Sequence, residues 1–314
     1  MAWEGAFGVA GKDVDNCVLS GAFVVYEIDN SKLDPQFVGY YFRNRSVWER
    51  IGSQSTGTNV RRKSLHPEQF EAESIPLPPL PEQRRIVARI ESLAAKVDQI
   101  KQLRQAIRTD AQAMLRSAFQ QAIEGAEYRP MAEVAPIVRR PVKIEPEGEY
   151  PELGVRSFGK GVFHKPMFLG AELDWQKLYR VHAGDLVISN IKAWEGAIAV
   201  ANKDEHNRVG SHRYITCFPE KGITTAGFLC FYLLTDEGIE QVRAASPGSA
   251  DRNRTLAMKR LEKIKVPIPN YDKQLRFNHL QAQVAAIHKA QLDNQIELDA
   301  LLPAILDRAF KGEL

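Results

Sequence analysis

Apolar residues in two stretches of the chain recur at alternating steps of three and four, with polar residues between them. This is the spacing of a heptad repeat, and it predicts one long helix in each stretch with a seam that packs against a partner helix. Arg104 interrupts the first seam, and Gln291 and Asn294 form a polar middle in the second. The predicted packing positions are Ile86, Ile90, Leu93, Val97, Ile100, Leu280, Val284, Ile287, Leu298 and Leu301.

Each predicted helix covers about 35–40 residues, which at 1.5 Å per residue is roughly 55–60 Å. Helices of this length rarely bury themselves in one globular core, so we expect the two to pack on each other. Two separate surface helices are the alternative.

A proline-rich segment precedes each predicted helix. Residues 75–83 read Ile-Pro-Leu-Pro-Pro-Leu-Pro-Glu-Gln, and residues 266–274 keep the first two prolines at the same spacing. Because proline fixes φ and disfavours helix in the residue before it, both segments are predicted to be stiff and non-helical. A polyproline ligand for a partner domain is the alternative for the first segment. The second segment loses the proline run, which favours a structural connector.

The region between the helices mixes short apolar runs with helical patterns. Residues 185–189 and 213–218 are predicted strands, and helices are predicted near residues 226–234 and 236–244. These patterns predict an α+β domain. We therefore divide the chain into a domain at 1–74, a lead-in and helix at 75–125, a second domain at 126–265, and a second lead-in and helix at 266–314.

The second half of the chain repeats the first. Trp3-Glu4-Gly5-Ala6 returns as Trp194-Glu195-Gly196-Ala197, and the same shift of 191 positions later matches Phe119 with Phe310. So long a period indicates a duplicated domain rather than a solenoid, and hence two equivalent working units. Met1 aligns with Lys192, so about 66 residues from position 126 onward have no counterpart in the first domain. We expect that domain to be incomplete, through truncation, a misassigned start or a naturally short form.

The composition adds few constraints. Apolar residues make up 44% and charged residues 26%, as in ordinary globular proteins, and the net charge is +3. Three scattered cysteines form neither a disulfide framework nor a metal cluster, which favours the cytoplasm. Neither a signal peptide nor an apolar run long enough to cross a membrane is visible in the sequence.

Patterns that carry catalysis are weak. Residues 154–160 match the first part of a phosphate-binding loop, but Gly161 stands where Ser or Thr is needed. Histidine spacing does not suit a metal site, and neither a Gly-x-Ser-x-Gly elbow nor a convincing pair of acidic residues is present. We therefore expect no catalytic residue, no cofactor and no metal.

Two basic loops fall at the same position of the repeat, residues 57–63 and 248–254. Arginine and lysine after small polar residues suit phosphate binding or the edge of guanine. A solvated charged loop is the alternative, but the recurrence of the basic loop in both copies favours a role in binding. With a second basic, Gly-rich stretch near residue 160, the candidate DNA contacts are Arg61, Arg62, Lys63, Arg156, Lys160, Lys165, Lys192, Arg213, Arg252 and Arg254.

Taken together, the chain resembles an N-terminally truncated DNA-specificity subunit of a type I restriction-modification system. The resemblance rests on the two proline lead-ins before heptad helices and on Gly184-Asp185-Leu186 followed by Trp194-Glu195-Gly196. It also rests on the ending Arg-Ala-Phe-Lys-Gly-Glu-Leu at residues 308–314.

The resemblance implies two target-recognition domains, the first incomplete, separated by two long antiparallel coiled-coil helices. Each domain reads one half of a bipartite site in double-stranded DNA, and the helices set the gap. Methylation subunits, of which two are expected, dock on this frame, and restriction subunits act through them. We expect residues 126–265 to read DNA and residues 1–74 not to, and we expect chains to associate through their helices. Two classes of protein compete with this interpretation. One is a scaffold without DNA affinity, and the other is a nuclease or methyltransferase in its own right.

Overall fold

The computed structural model describes residues 5–21, 23–53, 65–172, 177–248 and 254–314. It divides into two compact units, each of which combines a domain with parts of the long helices. The first unit contains Met1–Asp110 and Ile287–Leu314, and the second contains Ala111–Ala286. The prediction of an α+β fold with long connecting helices is confirmed.

The second unit is built on three small β-sheets. The strand orders are β6-β5-β8, β3-β2-β7-β4 and β1-β9. The strands are β1 Glu127–Pro130, β2 Glu149–Val155, β3 Val162–Leu169, β4 Leu178–Arg180, β5 Leu186–Ser189, β6 Ile198–Val200, β7 Val209–Ser211, β8 Tyr214–Cys217 and β9 Lys265–Ile268. Strands β5 and β8 confirm the two predicted from the apolar runs.

Strand β5 lies at the centre of this unit and is buried on both faces. Leu186 and Ile188 pack in the larger core, whereas Val187 packs in a second core with Leu153 and Ala199. This follows from the period of two along a strand, which sends alternate side chains to opposite faces. The sheet around β5 therefore fixes the ends of its strands firmly in place.

Helices cover the larger core of the second unit. The predicted pair is observed as α6 and α7, and each begins at a threonine whose hydroxyl accepts a backbone N–H of the first turn, Thr225 from Phe228 and Thr235 from Gly238. Such caps satisfy backbone donors that a helix leaves free. The helices of this unit are α5 Met131–Val134, α6 Ala226–Leu233, α7 Asp236–Ala244 and α8 Met258–Leu261, with the start of α9.

The first unit is mainly helical where it is described. Its helices are α1 Pro35–Arg43, α2 Arg45–Ser53 and α3 Pro67–Glu71, followed by the start of α4 Leu80–Ile123, and it also holds α10 Gln295–Phe310. Tyr41, Phe42, Val47 and Ile51 form its core. At the other side of this core, Phe310 of α10 packs edge-on against Phe37 and Tyr41, with ring centroids 5.2 and 5.3 Å away.

Part of the first unit has apolar side chains that no other element covers. Val18, Phe23 and Val24 are all exposed, Val18 almost completely. The residues 191 positions later, Val209, Tyr214 and Ile215, belong to strands β7 and β8. Apolar side chains at positions that form strands in the second unit are therefore exposed in the first unit.

The long helices differ from each other. Helix α4 is continuous over 44 residues, but the second predicted helix is interrupted. It consists of α9 Tyr271–Asp293 and α10, with Asn294 between them at φ −94° and ψ 6°. Asn294, which belongs to the polar middle of the predicted seam, is thus the point at which the helix breaks.

The helices run antiparallel in both units. In the first unit Ile90 near the start of α4 packs with Leu306 near the end of α10, and Lys101 pairs with Asp299 at 3.1 Å. In the second unit Phe119 near the end of α4 meets Phe277 near the start of α9, with ring centroids 5.2 Å apart.

The predicted seam is only partly buried. Ile90, Val97, Val284 and Leu298 are buried, and Ile86, Leu93 and Leu280 are half-buried. Burial predicted for Ile100, Ile287 and Leu301 is wrong, because their side chains are 41, 45 and 42% exposed. A straight helix drifts by about 20° per heptad against a strict seven-residue repeat. The break at Asn294 interrupts the register further.

A buried glutamine ties each proline lead-in to its own domain. Gln83 Nε2 donates to the carbonyls of Lys32 and Pro78, at 2.9 and 2.8 Å, and its Oε1 accepts from the Asp34 N–H at 2.8 Å. In the second unit Gln274 makes the corresponding bonds to Ile223 and Pro269. The duplication therefore preserves both bonds from the glutamine Nε2, whereas the Oε1 of Gln274 accepts from the Thr224 hydroxyl and not from a backbone N–H.

Candidate nucleic-acid interface

Asn190, directly after β5, joins three segments of the second unit. Its N–H donates to the carbonyl of Arg213 at 2.8 Å, and its carbonyl accepts from the N–H of Leu256 at 2.8 Å. Within the described residues its Oδ1 is buried without a hydrogen-bond partner. Arg213 accepts one of these bonds, and Lys192 and Arg254 each lie two residues from a bonded residue, so the backbones of all three lie at the carboxyl end of β5. We call these three residues, with Trp194, the β5 edge.

Trp194 is the centre of the β5 edge. The Lys192 ammonium lies 5.3 Å from the Trp194 ring centroid and the Arg254 guanidinium 5.5 Å. Cations at these distances are attracted to the negative ring face. The indole Nε1 is buried and has no acceptor in the described structure, so this side chain brings two positive charges together while retaining one unused donor.

The β5 edge stands on a tight turn. Ala193–Glu195 forms a single 3₁₀ turn that ends at Gly196, whose φ is +79°. Glu195 accepts hydrogen bonds from Lys192 Nζ and Ser157 Oγ, each at 2.8 Å. The bond from Lys192, helped by that from Ser157, outweighs the opposing effect of burial and lowers the pKa of Glu195. The glutamate therefore stays charged and holds Lys192 beside the indole.

The loop between β2 and β3 adds two cations to the same face. Its backbone is bonded to the Trp194 turn, since the Phe158 N–H donates to the Glu195 carbonyl at 2.8 Å and the Gly159 N–H to the Gly196 carbonyl at 2.9 Å. Lys160 lies 5.8 Å from the ring centroid of Phe158. Arg156 lies 5.0 Å from that of Phe163, on the neighbouring strand. This segment forms a hairpin turn and not the strand-to-helix turn of a phosphate-binding loop.

The structure brings some predicted contacts together and not others. Lys192, Arg213 and Arg254 converge, and Arg156 and Lys160 lie on the adjoining loop. Lys165 is half-buried and bonded to Glu152 at 2.8 Å. Burial opposes its charge, but the bond to Glu152 and the neighbouring Tyr214 raise the pKa of Lys165 overall. The remaining predicted contacts, Arg61, Arg62, Lys63 and Arg252, lie outside the described residues.

Two arginines that sequence reasoning missed frame the interface. Arg139 donates to the carbonyls of Tyr214 and His212, and its guanidinium lies 3.6 Å from the ring centroid of Tyr179. Arg243 donates through Nε to the Trp194 carbonyl at 3.3 Å. Neither has a local sequence signal, because both act through elements that are distant in the chain.

The Gly-Asp-Leu motif is structural. Asp185 is fully buried and forms a two-pronged pair with Arg140, at 2.7 and 3.1 Å, and it also accepts the His182 N–H at 2.8 Å. Such a planar fork fixes both partners in orientation. Asp185 thus locks the start of β5, whose other end carries the interface.

The described residues lack two further features. Among them, no group of three or more His, Cys, Asp or Glu side chains is arranged to hold a metal ion. None of the helices in the described ranges has the length and apolar character needed to span a membrane.

Comparisons with known proteins agree with the fold and the resemblance. Residues 3–109 match the model of the type I restriction modification DNA specificity domain. The HsdS subunit from Thermoanaerobacter tengcongensis is similar at 25% identity, over 90% of this chain and 71% of that chain, with a TM-score of 0.56. A structure from work on complex assembly and conformational transition of the type I R-M system is similar at 23% identity, over 90% of this chain and 72% of that chain, with a TM-score of 0.61. A comparison with curated proteins gives no match. The specificity-domain match therefore covers the first third of the chain, and the similarity to the fold of HsdS extends over most of its length.

Proposed function

We propose that this chain directs a type I restriction-modification complex to a bipartite sequence in double-stranded DNA and performs no catalysis itself. The observation that supports this most strongly is the β5 edge, where Lys192 and Arg254 lie against Trp194 and the backbone of Arg213 is bonded to Asn190 beside them. Separated cations neutralise phosphates, and a guanidinium fork also reads guanine in the major groove. The second unit is then the competent reader, and residues 1–74 do not read DNA.

The members of the β5 edge have different roles in this proposal. Arg213 is exposed and bonds within the described structure only through its backbone, which suits contact with a phosphate. Lys192 and Arg254 are held against an aromatic face and are therefore presented in a restricted geometry, which suits contact with a base edge. Phosphate contacts position a protein on DNA, whereas base contacts specify the sequence.

The long helices set the distance between the half-sites. Helix α4 has 44 residues and is roughly 66 Å long at 1.5 Å per residue. A continuous helix paired with a second one is a stiff spacer. Predicted seam residues that are buried, such as Ile90 and Val284, maintain this spacing.

The same helices dock the partner subunits. Ile100, Ile107, Ile287, Leu292 and Ile296 expose apolar side chains along α4, α9 and α10, which supports a protein partner there. We assign this surface to methylation subunits, two per complex, through which restriction subunits act in the cytoplasm. A second copy of the chain is the alternative occupant. Sedimentation of the isolated chain over a wide concentration range tests it, and a monomer throughout excludes self-association.

The experiment is co-expression of the chain with the methylation subunit encoded beside it, followed by mapping of methyladenine in host DNA. An asymmetric bipartite motif means that both units contribute to recognition, and it contradicts the assignment of reading to the second unit alone. A palindromic motif indicates two chains that read with the second unit alone. Absence of any motif, together with no retention on DNA at low salt, refutes the proposal and favours a scaffold without DNA affinity.

A double variant of the β5 edge tests whether this surface reads DNA. Lys192→Gln with Arg254→Gln removes two charges but leaves Asp185, the core and the helices intact. We expect assembly with the methylation subunits to persist while the motif is lost. A variant that keeps the motif with unchanged efficiency shows that DNA is read elsewhere.

A further inference from the structure

We propose that Phe158 is a wedge that inserts between adjacent base pairs of the DNA half-site bound by the second unit. This inference rests on the proposed function, because it requires that DNA lies against the β5 edge. A cationic surface alone gives Phe158 no role in DNA binding. The wedge gives it one, because insertion of its ring distorts the DNA.

Phe158 has a backbone conformation that aromatic residues rarely adopt. Its φ is +62°, in the left-handed region, where the Cβ crowds the following carbonyl oxygen. Its side chain is 73% exposed, more than any other aromatic side chain in the described ranges. Burial of the ring therefore does not offset the strain, and a glycine would fit this backbone better.

The surrounding loop holds Phe158 rigidly in this conformation. Ser157 Oγ donates to Glu195 at 2.8 Å, and the N–H groups of Phe158 and Gly159 are bonded to the Trp194 turn. Gly159 packs so closely on Leu234 that a methyl group there would lie 2.8 Å from the leucine Cδ1. A strained residue persists only when its surroundings over-determine it, and such residues are concentrated at functional sites.

The position of Phe158 suits DNA rather than an apolar protein partner. Lys160 lies against its ring, and the loop is bonded to the turn that carries Lys192 and Trp194. A lone apolar ring among cations has little to bury against a protein surface. Proteins that kink DNA place an apolar wedge between base steps while basic residues hold the phosphates on either side.

The test uses the chain in complex with its methylation subunits and a duplex that carries the motif found by methyladenine mapping. 2-Aminopurine is substituted in turn at each adenine of the half-site other than the methylated one, which the methylation subunit itself unstacks, since its fluorescence rises when it loses stacking. We expect a rise at one step with the wild-type complex, which Phe158→Ala abolishes. Affinity should fall about tenfold, as when an aromatic side chain that stacks on a base is removed. The slope of affinity against salt should stay unchanged, because phenylalanine carries no charge.

Phe218→Ala is the matched control. Phe218 is another exposed phenylalanine of the second unit, and it follows β8 at the end opposite the β5 edge. We expect this variant to keep both the fluorescence rise and the affinity. Phe158→Gly separates function from structure: it should raise the unfolding temperature by about 2–4 °C as strain is relieved, while it loses the fluorescence rise.

The outcomes separate the wedge from the proposed function. A wild-type complex that binds the duplex with no fluorescence change at any step overturns the wedge and leaves DNA recognition intact. A rise that survives in Phe158→Ala also overturns it. A complex that does not bind the duplex at any salt concentration overturns the wedge and the proposed function together.

Discussion

Gln274 holds three segments of the second unit together, and we predict that Gln274→Ala lowers the stability of that unit strongly. The glutamine is fully buried. Its Nε2 donates to the carbonyls of Ile223 and Pro269 at 2.9 and 3.0 Å, and its Oε1 accepts from the Thr224 hydroxyl at 2.9 Å. Alanine leaves two carbonyls and one hydroxyl without their partner in a site that solvent does not reach.

The magnitude follows from these lost bonds. A buried polar group left unsatisfied costs roughly 1–3 kcal/mol. The Thr224 hydroxyl can rotate towards another acceptor, so the two carbonyls carry most of the loss, and we expect about 3 kcal/mol in the free energy of unfolding. For a unit of this size that corresponds to a decrease of roughly 6–12 °C in the unfolding temperature.

Calorimetry combined with hydrogen exchange measures the effect and locates it. Exchange should accelerate in the segments around residues 223–225 and 266–274, while segments of the first unit are unchanged. Gln83→Ala should do the reverse, because Gln83 has the equivalent role in the first unit. Gln283→Ala, an exposed site on the same helix as Gln274, is the control and should alter stability by a few tenths of a kcal/mol. Equal effects of Gln274→Ala and Gln283→Ala would refute the reasoning.

Three further predictions concern other parts of the second unit and the thiols. Asp185→Asn should destabilise the second unit by roughly 2–3 kcal/mol in denaturant unfolding, because it leaves the Arg140 guanidinium without its buried counter-charge, and Asp204→Asn at an exposed site should have no such effect. Arg213→Gln should reduce the slope of log affinity against log salt by about 0.9, the value for one lost phosphate contact, and an unchanged slope removes Arg213 from the interface. Burial raises the pKa of the Cys217 thiol and of the half-buried Cys230 thiol to about 12, so only the exposed Cys17 should react promptly with a thiol reagent near pH 8. Prompt reaction of Cys217 or Cys230 before unfolding contradicts this expectation.

Local pattern was sufficient for the elements that bury one clear face. Strand β5 alternates between two cores, and α6 and α7 follow directly from threonine caps, so both strand and helices were predictable. The hairpin of β2 and β3 was not predicted, because its side chains are largely half-buried or exposed and its register depends on strands elsewhere.

The candidate site was predictable as a set of charges but not as an arrangement. Lys192 and Arg254 are far apart in the sequence, and only the backbone bonds of Asn190 bring their segments together. Phe158 lies in the basic, Gly-rich stretch near residue 160, yet its left-handed φ depends on contacts with the Trp194 turn that no local pattern encodes. Ile100 shows the opposite case. Its heptad position predicts packing against a partner helix, but its side chain is exposed.

The packing of Phe310 against Phe37 and Tyr41 has a consequence for the order in which the chain matures during translation. All of the second unit lies within residues 111–286, whereas the first unit needs both ends of the chain. At about 5–20 residues per second, the ribosome makes α1 on the order of 15–50 s before Phe310 emerges. We therefore expect the first unit, although translated first, to finish folding last. A nonsense mutation that removes α10 should then expose the nascent N-terminal helices to proteases while the second unit still folds.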